Sequence, residues 1–225
     1  MSDARGVENA NDGQLDALSL SALLCSRLCH DLINPVGALE AGLDALDSPE
    51  TDPALREAAL DLVRSGAKKA VALLSFARLA YGVAGGYGAE ISLKEAKKAL
   101  EDVFELLAPE LHWRLDEGMA SKDYVKTLLI LSTTAADCIP RGGAVAVDGD
   151  DQKLVIDASG QKIYFQEELR RALRGDCQDL APKFVPALFV NRIAAAQGAA
   201  VCVELNEGSV TLSVRLPRRA SVKQD

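Results

Sequence analysis

His30 is one of two histidines in a chain of 225 residues. It follows Cys29, which belongs to a row of Leu18, Ala22, Cys25, Cys29, Leu32, Val36, Leu39, Leu43 and Leu46 at alternating steps of four and three. That spacing is a helical packing seam. With Cys29 at heptad position a and Leu32 at d, His30 takes position b, on the flank of the helix. Asp31, next in the chain, can hold one imidazole nitrogen as a hydrogen-bond donor and leave the other free as a nucleophile. Asn34 stands one turn further on and can orient a water or a phosphoryl oxygen. Pro35 removes the backbone N–H that would bond the Asp31 carbonyl, which loosens the helix just past the histidine.

Large side chains are missing from the helix beyond His30, where Gly37, Ala38, Ala41 and Gly42 lie close together. A helical glycine costs up to about 1 kcal/mol relative to alanine, so both glycines need a reason. One reason is a smooth patch on which a partner protein approaches closely; the other is tight packing of helices. On the first reading Ser26, Arg27, Gly37, Ala38 and Ala41 form the docking patch. Arg64 and Lys68, four apart on a second helix, flank it. His112, beside Trp113, reads as structural. Arg170, Arg171 and Arg174 form a basic helix face, either solvated or open to an acidic partner.

The elements that must position these residues follow from pattern and punctuation. A helix is expected from about Gln14 to Asp47 and a second from Pro53 to Tyr81, split by Asp47-Ser-Pro-Glu-Thr-Asp-Pro, with Asp52 as the second cap. Leu24, Leu28 and Ile33 add a second apolar stripe to the first helix. Two helices alone cannot bury so broad a surface. Either a second copy completes a four-helix bundle or the hairpin packs on the rest of its own chain. Glycine-rich Tyr81-Gly-Val-Ala-Gly-Gly-Tyr-Gly marks the boundary. Beyond it the pattern predicts helices over 92–108, 121–139, 166–174 and 182–197. Strands are predicted at His112–Leu115, Ala144–Asp148, Lys153–Asp157, Ala200–Leu205 and Val210–Leu216, the last two forming a hairpin at Asn206-Glu-Gly. The domain plan is a tail at 1–13, a helical hairpin at 14–83, a linker at 84–90, an α/β domain at 91–218 and a tail at 219–225.

Composition limits the function. Hydrophobic residues make up 48% and charged residues 26%, as in a folded globular protein. With 4% aromatics the core must be aliphatic. The net charge is −8, and neither half is basic: 7 basic against 12 acidic residues lie before position 89, and 18 against 21 after it. A nucleic-acid or anionic-membrane partner is disfavoured. Cys25, Cys29, Cys138, Cys177 and Cys202 form no Cys-x-x-Cys pair, so no zinc site is expected, and their apolar neighbours suggest buried free thiols. No apolar run reaches the roughly 20 residues of a membrane span, and the first residues lack a signal-peptide core. The expected location is the cytoplasm.

His30-Asp31-Leu-Ile-Asn34-Pro35-Val36 resembles the H-box of sensor histidine kinases, His-Glu/Asp-x-x-x-Pro-Leu. The resemblance implies that His30 carries a phosphoryl group, that Asp31 assists proton transfer, and that two hairpins form a dimeric bundle. Asp31 and Asn34 also resemble the acid-x-x-Asn pattern with which such proteins dephosphorylate receiver domains. The rest resembles the kinase ATP-binding domain in element order and departs from it in ligands. Thr134 stands at the magnesium-binding Asn and Ile130 at the earlier one, counted back from Gly142-Gly143. Ser159 and Gln161 fill the glycine positions of Asp-x-Gly-x-Gly, and Phe184-Val-Pro186 replaces Gly-x-Gly. Without these groups little remains to hold Mg²⁺ or cradle phosphate.

A phosphoacceptor hairpin joined to such a domain is similar to the ChpT-type histidine phosphotransferases of alphaproteobacteria. The fold class implied is α + α/β: a helical hairpin forming a dimeric four-helix bundle, then a degenerate histidine-kinase ATPase-like (Bergerat-type) α/β sandwich. The function implied is relay of a phosphoryl group through His30 from the receiver domain of a hybrid histidine kinase to response-regulator receivers of the CtrA and CpdR type. No cofactor or metal is expected on this chain, the Mg²⁺ belonging to the partner receiver. A histidine kinase with an atypical nucleotide site, or a dimeric protein that binds receivers without chemistry, are the alternatives.

Overall fold

A computed structural model describes residues 15–49, 52–82 and 90–218. The expected tails, and positions 84–89 of the expected linker, lie outside the described residues.

Two long helices form the hairpin, α1 (Ala17–Asp47) and α2 (Pro53–Ala80). Each begins on an aspartate. The Asp16 carboxylate accepts from the Ser19 N–H at 2.6 Å and Asp52 accepts from Leu55 N–H at 2.8 Å, with Pro53 opening α2. These caps satisfy donors that the first turn leaves orphaned. Helix α1 continues through Pro35, which is buried against the neighbouring helix. A Cβ on Gly66 would lie 2.8 Å from the Pro35 carbonyl oxygen, and one on Gly42 would lie 2.7 Å from Val63 Cγ2. Both glycines serve close approach of α1 and α2. A Cβ on Gly37 would meet nothing within 4 Å, so the small residues of α1 divide between packing and open surface.

The expected seam of α1 also divides. Leu32, Leu39 and Leu46 are half-buried, whereas Cys25, Cys29, Val36 and Leu43 stay exposed, Leu43 by 52%. A straight helix drifts by about 20° per heptad. One track of the seam therefore rotates toward α2 while the other remains outside. Leu20 packs on the core, Leu24 and Leu28 are half-buried, Leu28 in a cleft it shares with Leu73 and Phe76 of α2, and Ile33 is exposed; the start of α1 also packs on the last third of the chain. The hairpin thus rests on its own α/β layer and still carries an uncovered apolar row.

That layer comprises β1 (Glu90–Ser92), α3 (Leu93–Phe104), β2 (Glu110–Trp113), β3 (Met119–Ser121), α4 (Lys122–Asp137), β4 (Ala144–Gly149), β5 (Lys153–Ser159), α5 (Glu167–Leu173), a 3₁₀ turn (Pro182–Phe184), α6 (Val185–Ala196), β6 (Val201–Asn206) and β7 (Ser209–Arg215). A five-stranded sheet runs β2-β4-β5-β7-β6, parallel only between β2 and β4. β1 and β3 pair separately. β5 alternates buried and solvated residues, as a sheet covered on one face requires.

Several expectations need correction. Glu90 belongs to β1, not to the linker. The 92–108 helix ends at Phe104, before Pro109 can bias the chain away from helix. The 182–197 helix opens as a 3₁₀ turn, and the strand expected at His112–Leu115 begins at Glu110, pairing in parallel with Ala144. Only Cys138 is a fully buried thiol; Cys25, Cys29 and Cys202 are exposed, the first two because they face away from α2.

Helix α4 lies at the centre, with Leu128, Leu129, Ile130 and Leu131 fully buried between the sheet and the other helices. Phe76, Leu79 and Ala80, from the end of α2, belong to the same core. Arg78 reaches Glu95 and Lys68 reaches Glu105, both at 2.6 Å, along the junction of α2 and α3.

Candidate active site

His30 projects from the middle of α1 with 78% of its side chain exposed. Its Nδ1 lies 3.4 Å from Asp31 Oδ1. The other Asp31 oxygen accepts from Arg27 Nε at 2.8 Å, one helical turn back. Asp31 is thus held between a guanidinium and the imidazole, with Nε2 of His30 left as the free nitrogen. The exposed carboxamide of Asn34 stands beside them. Three residues adjacent in the sequence pattern are adjacent in space, because helical spacing of one and four keeps them on neighbouring faces.

The three line a cleft of about 310 Å³ whose far wall comes from the α/β layer: Thr134 and Asp137 of α4, Lys183 and Pro186. Arg27, Asp137 and Lys183 also line an adjoining cleft of about 290 Å³. Asp137 is open to water on one side, which limits any shift. Loss of solvent still moves its carboxyl above the ordinary range; Arg27 and Lys183 pull it down and Asp31 adds to the rise. Burial pushes the Tyr81 phenol well above its usual range, against the pull of Arg27.

The expected docking residues separate into two groups. Ser26, Gly37 and Ala41 are exposed and Ala38 is half-buried, all on the flank that carries His30. Arg27 turns into the cleft, Arg64 pairs with Asp61 on its own helix at 3.0 Å, and Lys68 is engaged by Glu105. Asp137, Lys183 and Tyr81 are cleft residues that sequence reasoning missed. No local motif marks them, since each reaches the histidine through tertiary packing.

The remnants of the kinase-like pattern have structural employment. Thr134 is buried within α4, Phe184 packs in the core, and Pro186 sits in the first turn of α6 without an N–H to offer. These residues do not fit a metal-bound triphosphate. Gly142 and Gly143 keep positive φ, and a Cβ on Gly143 would collide with the Ser159 carbonyl oxygen. The Gly-Gly pair survives as a close backbone crossing.

Residues 93–209 match the histidine phosphotransferase C-terminal domain family. A curated protein phosphotransferase, ChpT from Brucella abortus (strain 2308), is 39% identical over 153 residues, covering 66% of this chain and 71% of that protein. These matches define a phosphotransfer protein of two-component signalling. A solved bacterial phosphotransferase superposes with a TM-score of 0.78 at 31% identity, over 89% of this chain and 98% of that one. The chain belongs to the histidine phosphotransferase family. Histidine kinase AdeS of Acinetobacter baumannii superposes with a TM-score of 0.40 at 15% identity, over 85% of this chain and 98% of its own. No helix among the described residues is long and apolar enough to cross a membrane.

Proposed function

We propose that this chain is a cytoplasmic homodimer that relays phosphoryl groups through His30, from the receiver domain of a hybrid histidine kinase to response-regulator receivers of the CtrA and CpdR cell-cycle type. One observation carries the reading: an exposed imidazole, contacted at Nδ1 by Asp31, stands on a flank of small side chains beside residues that do not suit a nucleotide. The Nε2 lone pair attacks the phosphorus of an aspartyl phosphate on the donor. The N–P bond forms as the bond to the aspartate oxygen breaks, and that carboxylate leaves with the electron pair. The ring gains positive charge, which Asp31 stabilises by accepting the Nδ1–H. An acceptor receiver reverses these events on its own aspartate.

The receiver brings its acidic pocket and Mg²⁺, so this chain contributes position and charge and needs no cofactor. Ser26, Gly37, Ala38 and Ala41 form the seat for a partner helix, with Arg64 and Lys68 at its rim. The exposed row of Cys25, Cys29, Val36 and Leu43 supports a dimer, since a second hairpin would cover it with seam-type packing.

The test is to incubate the purified chain with a receiver labelled at its phosphoryl group and then with an unlabelled one. Acid-labile label is expected to pass through the wild type, and neither through His30→Ala nor through Gly37→Leu, which fills the seat. Labelling of His30→Ala would sink the assignment. Autophosphorylation from ATP at micromolar affinity would favour the kinase alternative.

A further inference from the structure

Phosphoryl transfer through Nε2 requires that Nδ1 keep its proton and that the carboxylate beside it stay in place. Asp31 follows His30 directly, so its side chain leaves the helix about 100° further round. Nothing in that geometry directs a carboxylate toward the neighbouring ring. In this structure the direction comes from Arg27. Its Nε donates to Asp31 Oδ2 at 2.8 Å, which turns Oδ1 to within 3.4 Å of His30 Nδ1. Arg27 and Asp31 are only 27% and 29% exposed, against 78% for His30. The pair is therefore anchored in the cleft while the imidazole reaches out.

The cleft that encloses the pair draws on the other half of the fold. Arg27 shares its cleft with Asp31 from α1, Tyr81 from the end of α2, Asp137 from the end of α4 and Lys183 from the 3₁₀ turn. Of these only Asp31 is in direct contact with the guanidinium, so the Arg27–Asp31 pair is the ion pair that the cleft encloses. A guanidinium presents its donors in a fixed planar fork, which suits fixing one carboxylate while a second stands nearby.

We infer that Arg27 is a positioning residue for phosphoryl transfer: by holding Asp31 it fixes the His30 tautomer and leaves Nε2 unprotonated for attack. This rests on the relay reading above. Two effects of Arg27 oppose each other. Its charge withdraws some of the negative potential that Asp31 offers the ring, whereas its geometry prevents the carboxylate from swinging into water. The 3.4 Å separation is long for a charge-assisted bond, so orientation is the scarcer commodity, and the bond is expected to tighten as the ring becomes cationic.

The test uses the full chain with Arg27→Ala, Arg27→Gln and Arg27→Lys, beside His30→Ala. Single-turnover transfer from a phosphorylated receiver is measured over a range of receiver concentrations. The tautomer of His30 is read from ¹⁵N–¹H long-range spectra, with His112 as internal reference. Arg27→Ala and Arg27→Gln are expected to lower the maximal transfer rate about 10- to 100-fold while receiver affinity changes less than about twofold. The same two variants shift His30 from predominantly Nδ1–H toward the mixture of a free imidazole. Arg27→Lys, which keeps the charge and loses the planar fork, is expected to restore only a minor part of both.

An unchanged maximal rate in well-folded Arg27→Ala and Arg27→Gln overturns the inference. So does a loss confined to receiver affinity, which would make Arg27 a docking residue. So does a rate loss with an unmoved tautomer. Should Arg27→Ala fail to fold, Arg27→Gln carries the same test. Transfer that persists in His30→Ala overturns the relay reading itself, whatever the Arg27 variants do.

Discussion

The three glycines within the hairpin helices invite an experiment in which the sign of the effect changes along a few turns. Replacing any helical glycine by alanine gains up to about 1 kcal/mol from reduced freedom of the unfolded chain. At Gly37 nothing lies within 4 Å of the new methyl, so the gain should be realised in full. At Gly66 the methyl would lie 2.8 Å from the Pro35 carbonyl oxygen and 3.2 Å from Leu39 Cγ, and at Gly42 it would lie 2.7 Å from Val63 Cγ2 and 3.0 Å from the Ala59 carbonyl oxygen. Relief requires α1 and α2 to separate, and such overpacking costs about 1–3 kcal/mol. The net change is a loss of up to about 2 kcal/mol. For a chain of this size each kcal/mol moves the melting midpoint by about 2–4 °C. Thermal melts at one fixed protein concentration should therefore place Gly37→Ala above the wild type, and Gly42→Ala and Gly66→Ala level with it or below it by up to about 8 °C. A destabilised Gly37→Ala, or a clearly stabilised Gly66→Ala, would refute the division of α1 into a packing side and an open side.

Further outcomes follow from other parts of the structure. Burial pushes the Cys138 thiol up to about 12, with the nearby Asp137 adding to the effect, so at pH 8 only about one thiol in 10⁴ is ionised. Alkylation in the folded chain should spare Cys138 and modify exposed Cys202, as mass spectrometry of the labelled peptides will show. Cys25 and Cys29 should react in dilute solution and become protected as concentration rises; continued reactivity where light scattering reports a dimer would put the dimer face elsewhere. Gly143→Ala forces a methyl onto the Ser159 carbonyl oxygen at a φ of +130°, and should cost at least about 2–3 kcal/mol in a denaturant titration. The fraction that folds should transfer phosphoryl at the normal rate, since Gly143 touches neither the cleft nor the docking flank.

The legible part of the site is the part that is local. His30, Asp31, Asn34 and Pro35 lie within six positions of one helix, so spacing alone placed them on neighbouring faces. Arg27 was read as part of the docking patch, and its bond to Asp31 was not foreseen, because the sequence does not say which way a flexible guanidinium turns. Asp137 and Lys183 were beyond reach: more than 100 residues separate each from His30, and only packing of the 3₁₀ turn against α1 and of α4 against α2 brings them near it. Among elements, β1 and β3 escaped because three residues carry no periodicity. The α1 seam was visible as a pattern, yet its partition between α2 and solvent depends on the drift of a straight helix, which a heptad count conceals.

The burial of Phe76, Leu79 and Ala80 in the core of the α/β layer has a consequence for how the chain tolerates change. These residues precede the glycine-rich segment, so the histidine is registered against the rest of the molecule before that segment begins. Each buried Phe or Leu is worth about 1.5–3 kcal/mol, enough to keep hairpin and layer melting as one body. The phosphoacceptor is therefore not a cassette that can be lifted out at the glycines; a fragment ending there would expose the apolar end of α2.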